Sequence, residues 1–149
     1  MTRSTLACVA VAALLGAIAP GAQAKTLHVK GSERGAVIDA QGATTLFAAL
    51  GSDQRGQYAA RNSTTTAPAA NGTFTFTSKF IDYYAAGTES GTLTGTATLQ
   101  PDGSAMLSGT GKIVTGTGRY KHAKGTLKFT GIQGADGRYT VTYTGTLTY

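Results

Sequence analysis

At the end of the chain, Tyr139, Val141, Tyr143, Leu147 and Tyr149 alternate with Thr140, Thr142, Thr144, Thr146 and Thr148. A strand sends successive side chains to opposite faces, so this period of two writes one aromatic-aliphatic face and one hydroxyl face. Gly145 interrupts the apolar row, where a bend or a close backbone approach is expected. A sheet of such strands has one oily side that must be covered, and that requirement governs what the chain can become.

The pattern recurs upstream. Over residues 72–84, Phe74, Phe76, Ser78, Phe80, Asp82 and Tyr84 share one face, with Thr73, Thr75, Thr77, Lys79, Ile81 and Tyr83 on the other. Residues 91–99 set Leu93, Ala97 and Leu99 against Thr92, Thr94, Thr96 and Thr98. Pro101-Asp102-Gly103 is a turn signal, since Pro fixes φ and Gly accepts a positive one, and it leads into a strand over residues 104–114. A strand over residues 126–132 carries Leu127 and Phe129, and Ala135-Asp136-Gly137 turns the chain into the last strand. Nearer the start, residues 26–30 and 36–40 read as short strands. Residues 43–50 (ATTLFAAL) fit two helical turns or a short strand with a loop equally well. Residues 52–71, rich in Asn, Ser, Thr, Ala and Gly and containing Pro68, read as a long connection.

Strands at this spacing, joined by short turns, imply an antiparallel meander. Little helix is available to cover the oily face. An all-β sheet solves that by closing on itself into a roughly eight-stranded barrel, which also removes exposed edges. A barrel of about eight strands encloses side chains or one small ligand. A two-sheet β-sandwich is the alternative.

The first residues read differently. Arg3 precedes an apolar run over residues 6–18; Pro20-Gly21 ends it, and Ala22-Gln23-Ala24 has the small-x-small form of a signal-peptidase site. The run is shorter than the roughly 20 residues of a membrane-spanning helix, so no transmembrane segment is expected. The expectation is a signal peptide over residues 1–24, a single barrel domain over 25–149, and a secreted or periplasmic location. Cys8 is the only cysteine and would leave with the leader, so the exported domain would have no disulfide and no thiolate chemistry. Lys and Arg number 13 against 7 Asp and Glu, a formal net charge of +6. That balance attracts anionic partners. For an exported chain these are envelope polymers or lipid head groups rather than nucleic acid.

The most specific local signature is Gly116-Thr117-Gly118-Arg119-Tyr120-Lys121-His122-Ala123-Lys124-Gly125. Its glycines suit a compact connection, Tyr120 is placed to cap a barrel mouth, and small Ala123 lets the loop lie against the next strand. Followed by Thr126-Leu127-Lys128-Phe129-Thr130-Gly131, it resembles the G-T-G-x-[FY]-x-x-A-x-G segment of the allene oxide cyclase and dirigent protein barrels, within the wider calycin-like group. The likeness is greatest to small bacterial secreted members and covers roughly residues 72–149. The resemblance implies an eight-stranded antiparallel barrel with an open, mostly apolar cavity, often assembled as a homo-oligomer. In the enzymes of that group the cavity steers a reactive intermediate to one cyclised or coupled product, largely by positioning.

With the Phe74 face turned inward, Phe74, Phe76, Phe80, Leu93, Val141 and Leu147 supply apolar wall, while Tyr84, Tyr139 and Tyr143 orient ligand oxygens. Asp82 would sit beside those phenols. In an apolar cavity its pKa rises by desolvation and it can act as general acid or base. At a rim it is instead a solvated turn residue, with the tyrosines as core. Between Asp102 and Asp136 the chain carries no acid but accumulates Lys112, Arg119, Lys121, Lys124 and Lys128. Arg119, Lys121 and Lys124 form a candidate anion-binding site, or else a solvated loop. His28 and His122 have no acidic partners at ligand spacing, so no metal is expected. The glycine-rich stretches lie between strands rather than before a helix, so no nucleotide or other cofactor is expected either. Threonine rows could order water on a flat sheet, but the twist of a closed barrel defeats a lattice match.

Three functions fit these residues. The leading one is a secreted barrel binding a small hydrophobic or aromatic ligand in its cavity. The second is an isomerase-type catalyst, a cyclase or stereochemical guide without metal or nucleotide cofactor. The third is an envelope-associated structural or polyanion-binding protein using residues 112–128.

Overall fold

A computed structural model describes residues 24–68 and 71–149. Eight strands follow in order: β1 (Thr26–Gln41), β2 (Thr44–Asp53), β3 (Gly56–Pro68), β4 (Thr73–Tyr84), β5 (Gly87–Leu99), β6 (Ala105–Gly116), β7 (Lys124–Gln133) and β8 (Arg138–Thr148). Each pairs antiparallel with the next, and β1 pairs with β8, so the sheet closes into a barrel rather than a sandwich. One 3₁₀ turn, Gly118–Tyr120, lies between β6 and β7. Among the described residues no helix is long and apolar enough to cross a membrane. The leader expected over residues 1–24 lies almost wholly outside the described residues.

The alternation read in the second half of the chain is the alternation of the barrel wall. Val29, Phe80, Ile113, Phe129 and Leu147 are buried inside, while the threonines of β5, β7 and β8 face out or sit half-covered. Closing a barrel this small leaves little room for facing bulky residues, and the register shows how the chain manages it. Six of the large inward rings are paired across the ladder with a glycine: Gly31 with Tyr143, Gly35 with Tyr139, Gly51 with Tyr58, Phe80 with Gly91, Phe76 with Gly95, and Gly109 with Phe129. The rings lie over bare backbone. A Cβ on Gly51 would sit 2.2 Å from Tyr58 Cζ, and one on Gly31 would sit 2.5 Å from Tyr143 Cζ. Gly145 meets the same need against Leu127 of β7. The glycines that interrupt the apolar rows are thus the seats of the aromatic core.

Three hairpin turns share one device. Asp53, Asp102 and Asp136 each accept a hydrogen bond from the backbone N–H two residues on, at 2.7, 2.9 and 3.0 Å. Such a side-chain bond closes the turn before the ladder does. Gly103 and Gly137, with φ of 82° and 78°, supply the positive φ that the two later turns require.

The first half of the chain departs from its sequence reading. Residues 52–71 are not a long connection: they hold the end of β2, a tight hairpin and the whole of β3. Of residues 43–50, which fit helical turns and a short strand equally well, 44–50 belong to β2, and the two short strands expected over 26–30 and 36–40 are one strand of 16 residues, with a bulge between Val37 and Asp39.

Candidate functional site

The two ends of the barrel are built differently. At one end the 3₁₀ turn folds under the strands, tied to the β4–β5 hairpin by Arg119 N–H to Ala86 O and Thr117 N–H to Thr88 O, both 2.9 Å. That brings Tyr120 beneath the lumen, 3% exposed, with its ring 5.3 Å from Tyr84 and 5.9 Å from Tyr149. Ala123 and Leu147 are wholly buried beside it. The glycine-rich loop therefore closes this end. At the other end a cavity of about 410 Å³ runs inward from half-covered or exposed Val37, Ala40, Thr66 and Gln133. Its walls are Phe47, Phe76, Phe80, Leu93, Leu107, Leu127, Phe129 and Val141.

The cavity floor is polar. Arg55, in the β2–β3 turn, reaches in over the Tyr84 ring (4.5 Å) and the Tyr120 ring (5.5 Å). Its Nη2 donates to Asp53 Oδ2 at 2.6 Å and to Tyr84 Oη at 2.5 Å, and its Nη1 donates to Glu89 Oε1 at 2.5 Å. Tyr143 Oη and Tyr84 Oη donate to Asp53 Oδ2 at 3.0 and 3.1 Å. Burial opposes ionisation of Asp53, but the Arg55 bonds outweigh it and hold the carboxyl below its ordinary pKa. Arg55 is pushed up in turn, its charge kept against burial by Asp53 and Glu89.

A second group sits beside the first. Glu33 of β1 accepts hydrogen bonds from Tyr139 Oη, from Tyr58 Oη at 3.2 Å and from Asn62 Nδ2 at 3.2 Å. Asn62 also donates to Tyr139 Oη at 3.0 Å. Burial drives the Tyr58, Tyr84, Tyr139 and Tyr143 phenols above their ordinary pKa, so they remain neutral donors.

Asp82 faces Glu89 directly across the β4–β5 ladder, both pointing inward. Burial raises the pKa of Asp82 well above the ordinary carboxylate range, and the nearby Glu33 and Glu89 charges push it further. Burial likewise raises Glu89 despite its bond to Arg55. One oxygen of Glu89, Oε2, has no hydrogen-bond partner although its side chain is fully buried. Such a floor can donate a proton, accept one, or hold a polar head group.

The residues singled out from sequence distribute as follows. Asp82, Phe76, Phe80, Tyr139 and Tyr143 line the cavity. Phe74, half-buried, lies towards the open end without lining it; Tyr84 is turned to Arg55, and Leu147 packs in the closed end. Tyr120 caps the closed end, not the mouth. Arg119, Lys121 and Lys124 lie outside the lumen: Arg119 stacks 5.9 Å over Tyr149, Lys121 is exposed, and Lys124 Nζ donates to the bulged Val114 carbonyl at 2.7 Å. Sequence reasoning missed Glu33, Asp53, Arg55, Tyr58, Asn62 and Glu89. The one available signal was the scarcity of acids: with 7 in the chain, an acid in phase with an inward row stands out, as Glu33 does between Gly31 and Gly35.

Among the described residues no group of three or more His, Cys, Asp or Glu is arranged to hold a metal ion. No family model, no curated protein and no solved structure matches the chain.

Proposed function

We propose that this chain is an exported β-barrel that binds a small hydrophobic or aromatic molecule in its lumen. One observation carries the reading: a cavity of about 410 Å³ is open at one end, walled by Phe and Leu, and floored by convergent polar groups. Sites for small molecules have this make-up, an apolar body with a few placed polar groups that set orientation. The closed meander and the glycine-rich loop are in keeping with the allene oxide cyclase and dirigent-like barrels that the sequence resembles. Mass spectrometry of the protein purified from its native host, under conditions that keep complexes intact, tests it. A bound apolar molecule whose removal lowers the melting temperature is expected. A chain that carries nothing and is stabilised by no apolar compound would overturn the reading.

Asp82 favours a second reading, catalysis of an isomerase or cyclase type. A carboxyl held protonated in an apolar cavity is a competent general acid. Asp82→Asn then abolishes turnover while leaving binding intact; unchanged turnover of a converted substrate removes Asp82 from that role.

A further inference from the structure

The floor of the cavity has more acids than it can neutralise. Glu33, Asp53, Asp82 and Glu89 gather there, and Arg55 is the single cation among them. Arg55 is fully engaged: Nε and Nη2 with Asp53, Nη1 with Glu89 Oε1. Glu33 is satisfied by neutral donors, two phenols and an amide. Asp82 has no side-chain hydrogen bond among the described residues, and Glu89 Oε2 is buried with no partner. A buried polar atom without a partner destabilises the fold, so an orphan acceptor in a residue that lines a cavity points to a donor from outside.

Taking the cavity as the ligand site of the preceding reading, on which this step rests, we propose that its ligand is a hydrophobic amine. The ammonium head would sit against Asp82 and Glu89 Oε2, with the apolar body between Phe76, Phe80 and Phe129. A cation supplies what the floor lacks, both a positive charge and several N–H donors. Aromatic faces already hold one cation there, since Arg55 lies 4.5 Å over Tyr84. An alcohol would satisfy one acceptor but offer no counter-charge to an ionising Asp82; a carboxylate would add to the repulsion.

The groups facing Asp82 are Glu89 on β5, Glu33 on β1, Tyr58 on β3, Tyr84 on its own strand β4, Tyr139 on β8, and Asp53 with Arg55 at the β2–β3 turn. An arriving ammonium favours the ionised carboxylate, so binding expels a proton and tightens as pH rises towards neutrality.

Calorimetric titration with 2-(1-naphthyl)ethylamine, 2-(1-naphthyl)ethanol and 1-naphthylacetate separates this inference from the reading beneath it. The amine is expected to bind at least about tenfold more tightly than the alcohol, the usual gain of a charge-assisted bond, and to release protons. Asp82→Asn should remove that advantage, bringing the amine's affinity to about that of the alcohol; Glu33→Gln, a second variant, should reduce it in part. Equal or tighter binding of the alcohol or the acetate overturns the amine assignment but keeps the cavity as a ligand site. Survival of the amine's advantage in both variants overturns it as well. Failure of all three probes to bind overturns both statements.

Discussion

Asp82 and Glu89 stand directly opposite one another on adjacent strands, two inward carboxyl groups in one rung of the ladder. Like charges in that arrangement repel, and here Glu89 is fully buried while Asp82 is half-buried in an apolar cavity. A protein keeps such a pair at a cost in stability, and the cost is measurable.

Asp82→Asn is expected to stabilise the fold at neutral pH. The folded state holds Asp82 protonated at pH values where the unfolded chain, near its ordinary 3.8, has already ionised. The stability this contributes is greatest at low pH and is lost as pH rises through the raised pKa. Asp53 has the opposite sign: its depressed pKa contributes stability above the ordinary value that disappears as pH falls. Melting temperatures from about pH 4 to about pH 7 should therefore decline more steeply in the wild type than in Asp82→Asn. A variant that melts lower at neutral pH would show that the carboxylate has a favourable partner.

Arg55→Met should be severely destabilising. The Asp53 and Glu89 side chains are 0% exposed and Arg55 is 7% exposed, so removing the cation strands two buried acids. Breaking a buried pair from one side costs about 3–5 kcal/mol. Urea denaturation measures it, and adding Glu89→Gln to the same chain should recover part of the loss by removing one orphan charge.

Gly51→Ala tests the seating of rings on backbone. The added methyl would lie 2.2 Å from the Tyr58 ring and 2.4 Å from its hydroxyl, so the ring must leave its place. Overpacking of this kind costs about 1–3 kcal/mol. In the double variant with Tyr58→Ala the clash is absent, so the two losses should sum to more than the double variant shows.

Tyr120→Ala should unplug the closed end. Loss of so large a buried ring costs about 3–5 kcal/mol. It should also quicken amide exchange in the β4–β5 hairpin, which is braced by the turn carrying Tyr120. Exchange unchanged from the wild type would mean that the hairpin is held by its own ladder.

Strands whose inward rows are oily were readable in the sequence, because apolar side chains against threonine make the period of two visible. That is why β4 to β8 stood out. In β3 the inward row is Tyr58, Ala60, Asn62, Thr64 and Thr66, of which all but the buried Ala60 line the cavity, so alternation in polarity is absent and the segment reads as a connection. In β1 the inward Gly31, Glu33 and Gly35 carry little apolar bulk, since Tyr143 and Tyr139 of β8 fill the space above the glycines. The same cause hid much of the site. Glu33, Asp53 and Arg55 fall where the chain shows no oily face, and only closure of the barrel brings them to Asp82, which rides in a plainly alternating strand.

The seam between β1 and β8 joins residues more than a hundred positions apart in the chain, Thr26 to Thr148 and Leu27 to Leu147. Until the final strand arrives, seven strands form a curled ribbon with two raw borders and no enclosed lumen. Ring closure carries the largest chain-entropy cost of any pairing in the barrel, because the longest loop in the molecule has to be tied before any contact across it is gained. The start of β1 and the end of β8 meet at that seam, where Lys25 and Tyr149 exchange backbone hydrogen bonds. A tether at either end would hang from the plugged base and leave the opposite rim free to meet whatever diffuses in.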